Sequence, residues 1–222
     1  SVLQLSTQNT RLMAIKSLLS FCQKIGYTQF NVGGAVKGHR VKDELTERIL
    51  TESEVQKMIH LEPSHRNKAL LKFLYCTGAR ASEVSQLRLK DFSECEGGAI
   101  VTLFGKGGKT RYVMIPDGVW KEINNLHESN LASGNPAFIS RKKNNPLSSV
   151  SIWRVVQAAA KRAGIQKDVS PHFLRHSCAS HSLDRGCPIH TVQNTLGHVN
   201  LATTGKYTHV KPKDSAGMYL GI

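Results

Sequence analysis

The chain has 222 residues, of which 40% are hydrophobic: enough for one good core and too apolar for a disordered composition. Lys and Arg total 30 against 16 Asp and Glu, a formal net charge of +14. That excess favours a polyanionic partner, with nucleic acid ahead of an anionic membrane. No apolar run reaches the length a transmembrane helix needs, and the first residues carry no charged-then-apolar signal pattern.

The chain opens at Ser1 inside a helical pattern, as an excised fragment would. Over residues 7–25, Leu12, Ile15, Leu19 and Cys22 recur at helical spacing, and Gly26 can end that helix. The polar, glycine-containing tract 31–44, NVGGAVKGHRVKDE, reads as a linker. Thr51 and Glu54 form a capping box that opens the next helix. SHRNKALLKFLYCTG predicts an apolar helix that stops near Gly78, and a short helix follows from about Ala81. β-branched and apolar residues over about 99–116 predict two strands joined by a glycine turn. WKEINNLHES and SSVSIWRVVQAAAKRAG predict two further helices. Ser170 before Pro171 marks a helix start, Gly186 its end, and Pro188 the start of a last helix to about Leu196. The fold expected is α+β and mostly α: a helical domain with one small antiparallel sheet, preceded by a lone helix and linker.

Charge and cysteines narrow the setting. Residues 129–213 hold twelve Lys/Arg and only two acids, Asp168 and Asp184. These bases are spread over several short segments, which suits a concave nucleic-acid surface better than the one-sided face of a membrane helix. The five cysteines are odd in number and lack C-x-x-C spacing, which predicts a reduced, intracellular protein with mostly core thiols.

The string GKGGKT at 105–110 invites a nucleotide-phosphate reading, but the first glycine of G-x-x-x-x-G-K-[ST] would fall at Leu103. TRYVMIP follows as a strand rather than a helix, so the glycines serve a hairpin turn, and Lys106 rides on it. Elsewhere stand TGARASE with Arg80 just past a helix stop, HFLRH with His172 and Arg175 one turn apart, and LGH with His198 nine residues before Tyr207. Together they describe one chemistry. Two arginines can grip the non-bridging oxygens of a phosphodiester. Two histidines can donate or exchange protons near neutral pH. A tyrosine can attack phosphorus, and a lysine can protonate the departing oxygen.

TGARASE, the GKGGK hairpin, HFLRH, LGH and TTGKYTHV, in this order and at these spacings, closely resemble the tyrosine recombinases of the phage-integrase type. The resemblance runs from Arg80 to Tyr207. It implies a catalytic domain over residues 46–222 with a lysine-bearing β-hairpin. Residues 1–45 resemble, more weakly, the last helix of that family's core-binding domain and its interdomain linker, with the rest of that domain lying outside this chain. By the resemblance, Arg80 and Arg175 clamp the phosphate, His172 is the acid–base histidine, and His198 donates to a phosphate oxygen. Lys106 is the general acid for the 5′-hydroxyl, Tyr207 is the nucleophile that forms a 3′-phosphotyrosine link, and Glu83 braces the site. The implied partner is duplex DNA with recombination-site repeats, and the implied assembly is a homotetramer on two DNA sites. The implied setting is cytoplasmic and nucleoid-associated, in a prokaryote or mobile element. Neither metal nor ATP is implied, because the phosphotyrosine conserves the bond energy.

Three rivals are weighed on the same residues. A zinc hydrolase on His172, His176 and His181 needs H-E-x-x-H, and Phe173 stands where the glutamate belongs. A catalytically silent DNA-binding module explains the charge but not the reactive set. A type IB topoisomerase keeps the chemistry without recombination, though the LGHVNLATTGKYTHV block looks more like recombinases. Tyr219 is the backup nucleophile and is expected to pack instead.

Overall fold

A computed structural model describes residues 5–39, 46–105, 108–127, 134–140 and 145–197. The chain divides into two compact units, residues 1–44 and 45–222.

The first unit is built on α1 (Leu5–Lys24). The segment 31–39 returns along this helix. Asn9 donates to the His39 carbonyl at 2.7 Å and accepts from the His39 N–H at 2.8 Å, while Lys16 donates to the Val36 carbonyl at 2.6 Å. Gly33 and Gly38 lie against Leu19 and Leu12. Leu12, Leu19 and Cys22 are accordingly half-buried, but Ile15 is 56% exposed, because the returning segment covers only part of the predicted stripe. The predicted linker is thus, over residues 31–39, hydrogen-bonded to the helix.

The second unit starts with α2 (Glu52–His60), α3 (His65–Thr77) and α4 (Ala81–Gln86). The capping box at α2 forms as read: Thr51 Oγ1 accepts from the Glu54 N–H at 3.2 Å, and Glu54 accepts from the Thr51 N–H at 2.7 Å. Strands β1 (Phe92–Cys95), β2 (Gly98–Phe104) and β3 (Thr110–Pro116) make one antiparallel sheet in that order. Ile100 pairs with Met114, Thr102 with Tyr112 and Leu103 with Arg111. The predicted hairpin is β2–β3, and Gly108 in its turn takes φ +74°, a left-handed conformation that glycine adopts without strain. β1 adds a third, edge strand.

Helices α5 (Asp117–Asn125), α6 (Ser149–Arg162), α7 (Pro171–Asp184) and α8 (Ile189–Leu196) complete the unit. α3 is the central helix, packed against α7, α5 and β3. Its Phe73 meets Phe92 and Phe138 with ring centroids 6.1 and 5.7 Å apart. The inner sheet face supplies Ala99, Val101, Leu103, Val113 and Ile115 to this core, as the period-2 pattern requires. α8 rests on α7 through a smaller cluster of Ala179, Val192 and Leu196. Ser177 of α7 accepts the buried Leu50 N–H at 2.9 Å and so fixes the entry to α2.

The five cysteines are all unpaired. Only Cys178 is buried. Cys95 is exposed on the edge strand, and Cys22, Cys76 and Cys187 are partly covered, so the expectation of mostly core thiols does not hold. Among the described residues, no helix is long and apolar enough to cross a membrane.

Candidate active site

The site begins where α3 ends. Gly78 caps α3 with φ +58°, and its N–H donates to the Leu74 carbonyl at 3.0 Å. A side chain there would be strained by φ and would also place Cβ 2.4 Å from Leu196 Cδ2. Thr77 reinforces the turn: its hydroxyl donates to the Phe73 carbonyl at 2.6 Å and accepts from the Ala79 N–H at 3.2 Å. The chain then turns into α4 with Arg80 as N-cap residue.

Arg80 and Glu83 are held by one arrangement. Glu83 sits in the first turn of α4, where its carboxylate suits the positive end of the helix. It accepts the Arg80 N–H at 2.7 Å and an Arg80 guanidinium N–H at 2.9 Å. Arg111 of β3 adds a two-pronged contact, both N–H···O distances being 2.8 Å. The Glu83 side chain is only 2% exposed. Burial alone would raise its carboxyl, but the Arg111 fork, the Arg80 N–H, the Arg111 charge and the Arg80 guanidinium hydrogen bond overrule that and hold it at about 2. Arg80 is 37% exposed, so its guanidinium keeps a face toward solvent beyond the Glu83 contact.

Arg175 is placed by α7. Pro171 occupies the first helical turn, where its missing N–H costs nothing and its fixed φ suits the helix. One turn later Arg175 is buried, donating to the carbonyls of Gly78 at 2.5 Å and Leu196 at 2.6 Å. Those oxygens lie at the C-terminal ends of α3 and α8, where the partial negative charge of each helix favours a cation. Gly197 caps α8 at φ +66° and stands one residue before His198.

His172 lies in the first turn of α7 and keeps access to solvent. Its pKa is lowered, first by desolvation from surrounding protein and then by the charges of Arg175, Arg80 and Arg48. The neutral imidazole is therefore favoured, able to accept a proton at one nitrogen and donate from the other. A cavity of about 500 Å³ opens beside it, lined by Arg48, Ser170 and His176. A larger one, about 1060 Å³, lies over α4 and the hairpin, lined by Arg80, Gln86, Gly105, Lys109, Arg111 and Gly197.

The fold therefore brings Arg80, Glu83, His172 and Arg175 into one neighbourhood, although Glu83 and Arg175 are 92 positions apart (175 minus 83). Lys106, His198 and Tyr207 lie outside the described residues, as does Tyr219. Gly105 and Gly197, the chain neighbours of Lys106 and His198, line the larger cavity. The three histidines weighed as zinc ligands are not gathered around one point. His172 and His176 have ring centroids 6.4 Å apart, and His181 is buried with Nδ1 2.8 Å from the Tyr75 hydroxyl. Among the described residues, no three His, Cys, Asp or Glu side chains are arranged to hold a metal ion.

Sequence reading missed Arg111 and Arg48. Arg111 carried a signal: it alternates with Val113 and Ile115 on the inward face of β3, and a cation at a core-facing position needs a buried partner. Arg48 is a member of a short 3-10 turn, Thr46–Arg48, and gave no such sign.

Comparison with known proteins places the chain in a family. Residues 48–214 match the Phage integrase family. The tyrosine recombinase XerA of Pyrococcus furiosus is 40% identical over 168 residues, covering 74% of this chain and 58% of that protein. Tyrosine recombinase XerD of Oceanobacillus iheyensis is 35% identical over 188 residues, covering 80% of this chain and 63% of that protein. The chain thus spans less than two thirds of the length of these relatives. Among solved structures, the XerH site-specific recombinase bound to difH substrate in a pre-cleavage complex superposes with a TM-score of 0.73 at 27% identity, over 95% of this chain and 64% of that one. With a family match across residues 48–214 and a fold shared over 95% of its length with a solved recombinase, the chain belongs to the phage integrase family of tyrosine recombinases.

Proposed function

We propose that the chain carries the catalytic region of a site-specific DNA recombinase that cuts and rejoins duplex DNA through a 3′-phosphotyrosine intermediate. The observation that carries this reading is the convergence of Arg80, His172 and Arg175, cations and an imidazole suited to one phosphate, on a chain whose relatives include recombinases solved on DNA. A guanidinium has five N–H donors. Arg80, 37% exposed, keeps a solvent-facing side beyond its contact with Glu83, and with the charge of Arg175 beside it would meet the non-bridging oxygens as charge develops on phosphorus.

In the proposed step the Tyr207 oxygen attacks phosphorus and the bond to the 5′-oxygen breaks. Lys106 gives that oxygen its proton, and His198 donates to a phosphate oxygen. His172, held neutral by its surroundings, is suited to take a proton from the attacking phenol. A free tyrosine is only about 0.1% ionised at pH 7, and nearby cations favour the ionised form. Reversal by a 5′-hydroxyl reseals the strand without ATP.

Residues 1–45 are read as the last helix of a core-binding domain with its linker, in keeping with the division of the chain at residue 44. The working assembly is read as a homotetramer on two recombination sites carrying repeats. The test is a nicked suicide duplex incubated with the full-length protein. Denaturation-resistant protein–DNA adducts that disappear in Tyr207→Phe are expected. No adduct on a verified site would favour a silent DNA-binding module, and an adduct mapping to Tyr219 would overturn the assignment.

A further inference from the structure

Arg111 joins three parts of the site. Its guanidinium fork binds Glu83 of α4 at 2.8 Å through both terminal nitrogens, and its Nε donates to the Thr195 carbonyl at 2.8 Å, near the end of α8. Its Cδ lies against Gly197, where an added Cβ would be 3.0 Å away. Arg111 itself is only 10% exposed, so it is placed to act through its neighbours.

The charges explain what this arrangement achieves. Glu83 is one buried negative charge with two guanidinium partners, Arg80 and Arg111, leaving the trio with a net positive charge. Without Arg111, the carboxylate would have Arg80 alone, and the pair would be neutral. The exposed guanidinium would then be drawn wholly inward, and a phosphate would meet an ion pair rather than a cation. Burial sharpens the effect, because a buried carboxylate binds the nearest cation strongly.

We propose that Arg111 is a positioning residue for strand cleavage: it is the counter-ion of Glu83 that leaves the charge of Arg80 available to DNA phosphate, and its hold on Thr195 ties β3 to the end of α8. This role rests on the recombinase reading above. Lys109 precedes β3 and so does not lie on the inward strand face that reaches Glu83.

The test uses the full-length protein and the nicked duplex, with adduct formation followed in single turnover per folded molecule. Arg111→Met is expected to slow adduct formation by about 10²-fold, the scale of a misplaced reacting group, with little change in affinity for intact duplex. Arg111→Lys, which keeps charge but not the fork, should recover part of the rate. The decisive variant is Glu83→Gln with Arg111→Met. With the carboxylate gone its counter-ion is no longer needed, so the double variant should be no slower than Arg111→Met alone. If the losses of Glu83→Gln and Arg111→Met simply multiply, or if folded Arg111→Met cleaves at the wild-type rate, the role is overturned. Should Arg111→Met fail to fold, Arg111→Lys takes its place: Glu83→Gln with Arg111→Lys should be no slower than Arg111→Lys alone, and losses that multiply overturn the role. A merely structural arginine would lower the folded fraction without this non-additivity in rate. Wild-type protein forming no adduct overturns the recombinase reading and this role with it, whereas wild-type adducts with multiplying losses overturn this role alone.

Discussion

Glu83→Gln should isolate what one buried carboxylate and its two arginines contribute. In the fold its carboxyl is held at about 2, against 4.5 for an unperturbed glutamate. A depressed pKa gives stability that is fully present above pH 4.5 and lost as pH falls toward 2. The side chain is 2% exposed, so solvent screening takes little from this. At about 1.4 kcal/mol per pH unit, the difference amounts to about 3 kcal/mol, of which about 2 kcal/mol disappears between pH 7 and pH 3. The assay is urea unfolding followed by fluorescence of Trp120 and Trp153, for wild type and Glu83→Gln at both pH values. At pH 7 the variant should be less stable by about 3 kcal/mol, because Arg111 is left with its charge uncompensated. At pH 3 that gap should narrow by about 2 kcal/mol. Parallel stability curves for the two proteins would refute the reasoning, since the carboxylate would then owe nothing to the two arginines.

Three other outcomes follow from the structure and the proposed chemistry. Lys106→Ala should slow cleavage far more than binding, and a 5′-bridging phosphorothioate, whose sulfur leaves without an acid, should rescue it; no rescue removes Lys106 as the acid. Gly78→Ala combines left-handed backbone strain with the approach to Leu196, so a loss of at least about 1–3 kcal/mol is expected, read as a fall in melting temperature. DNA affinity should fall steeply with salt, by about 10³-fold between roughly 50 and 200 mM if six phosphates are engaged. Affinity that held steady in a titration by fluorescence anisotropy would contradict phosphate contacts.

What could be read from the letters was what local rules dictate. The Thr51–Glu54 box, the stop at Gly78, Pro171 opening α7 and the β2–β3 hairpin each depend on neighbours in sequence, and each formed. Arg80, Glu83, His172 and Arg175 were named through motif order, and the fold assembles them. What could not be read was partnership across distance. Glu83 meets Arg111 28 positions on, and Arg175 meets the Gly78 carbonyl 97 positions back. Strand β1 escaped because only Phe92 of its four residues is buried, which leaves no alternating pattern to detect. The exposed Cys95 belongs to the same edge strand, and it spoiled the reading of the cysteines as core groups. For Lys106, His198 and Tyr207 the sequence order remains the argument.

Arg175 ends as the most consequential placement. Its rotamer is chosen during folding, by carbonyls that close α3 and α8. On the proposed role, an arriving phosphodiester would meet a guanidinium charge whose position is already set, with little conformational entropy left to surrender. The same seating makes that guanidinium a sensor of α8. Any partner that drew α8 from its bed on α7 would take the Leu196 carbonyl from Arg175 and loosen the seat of that guanidinium.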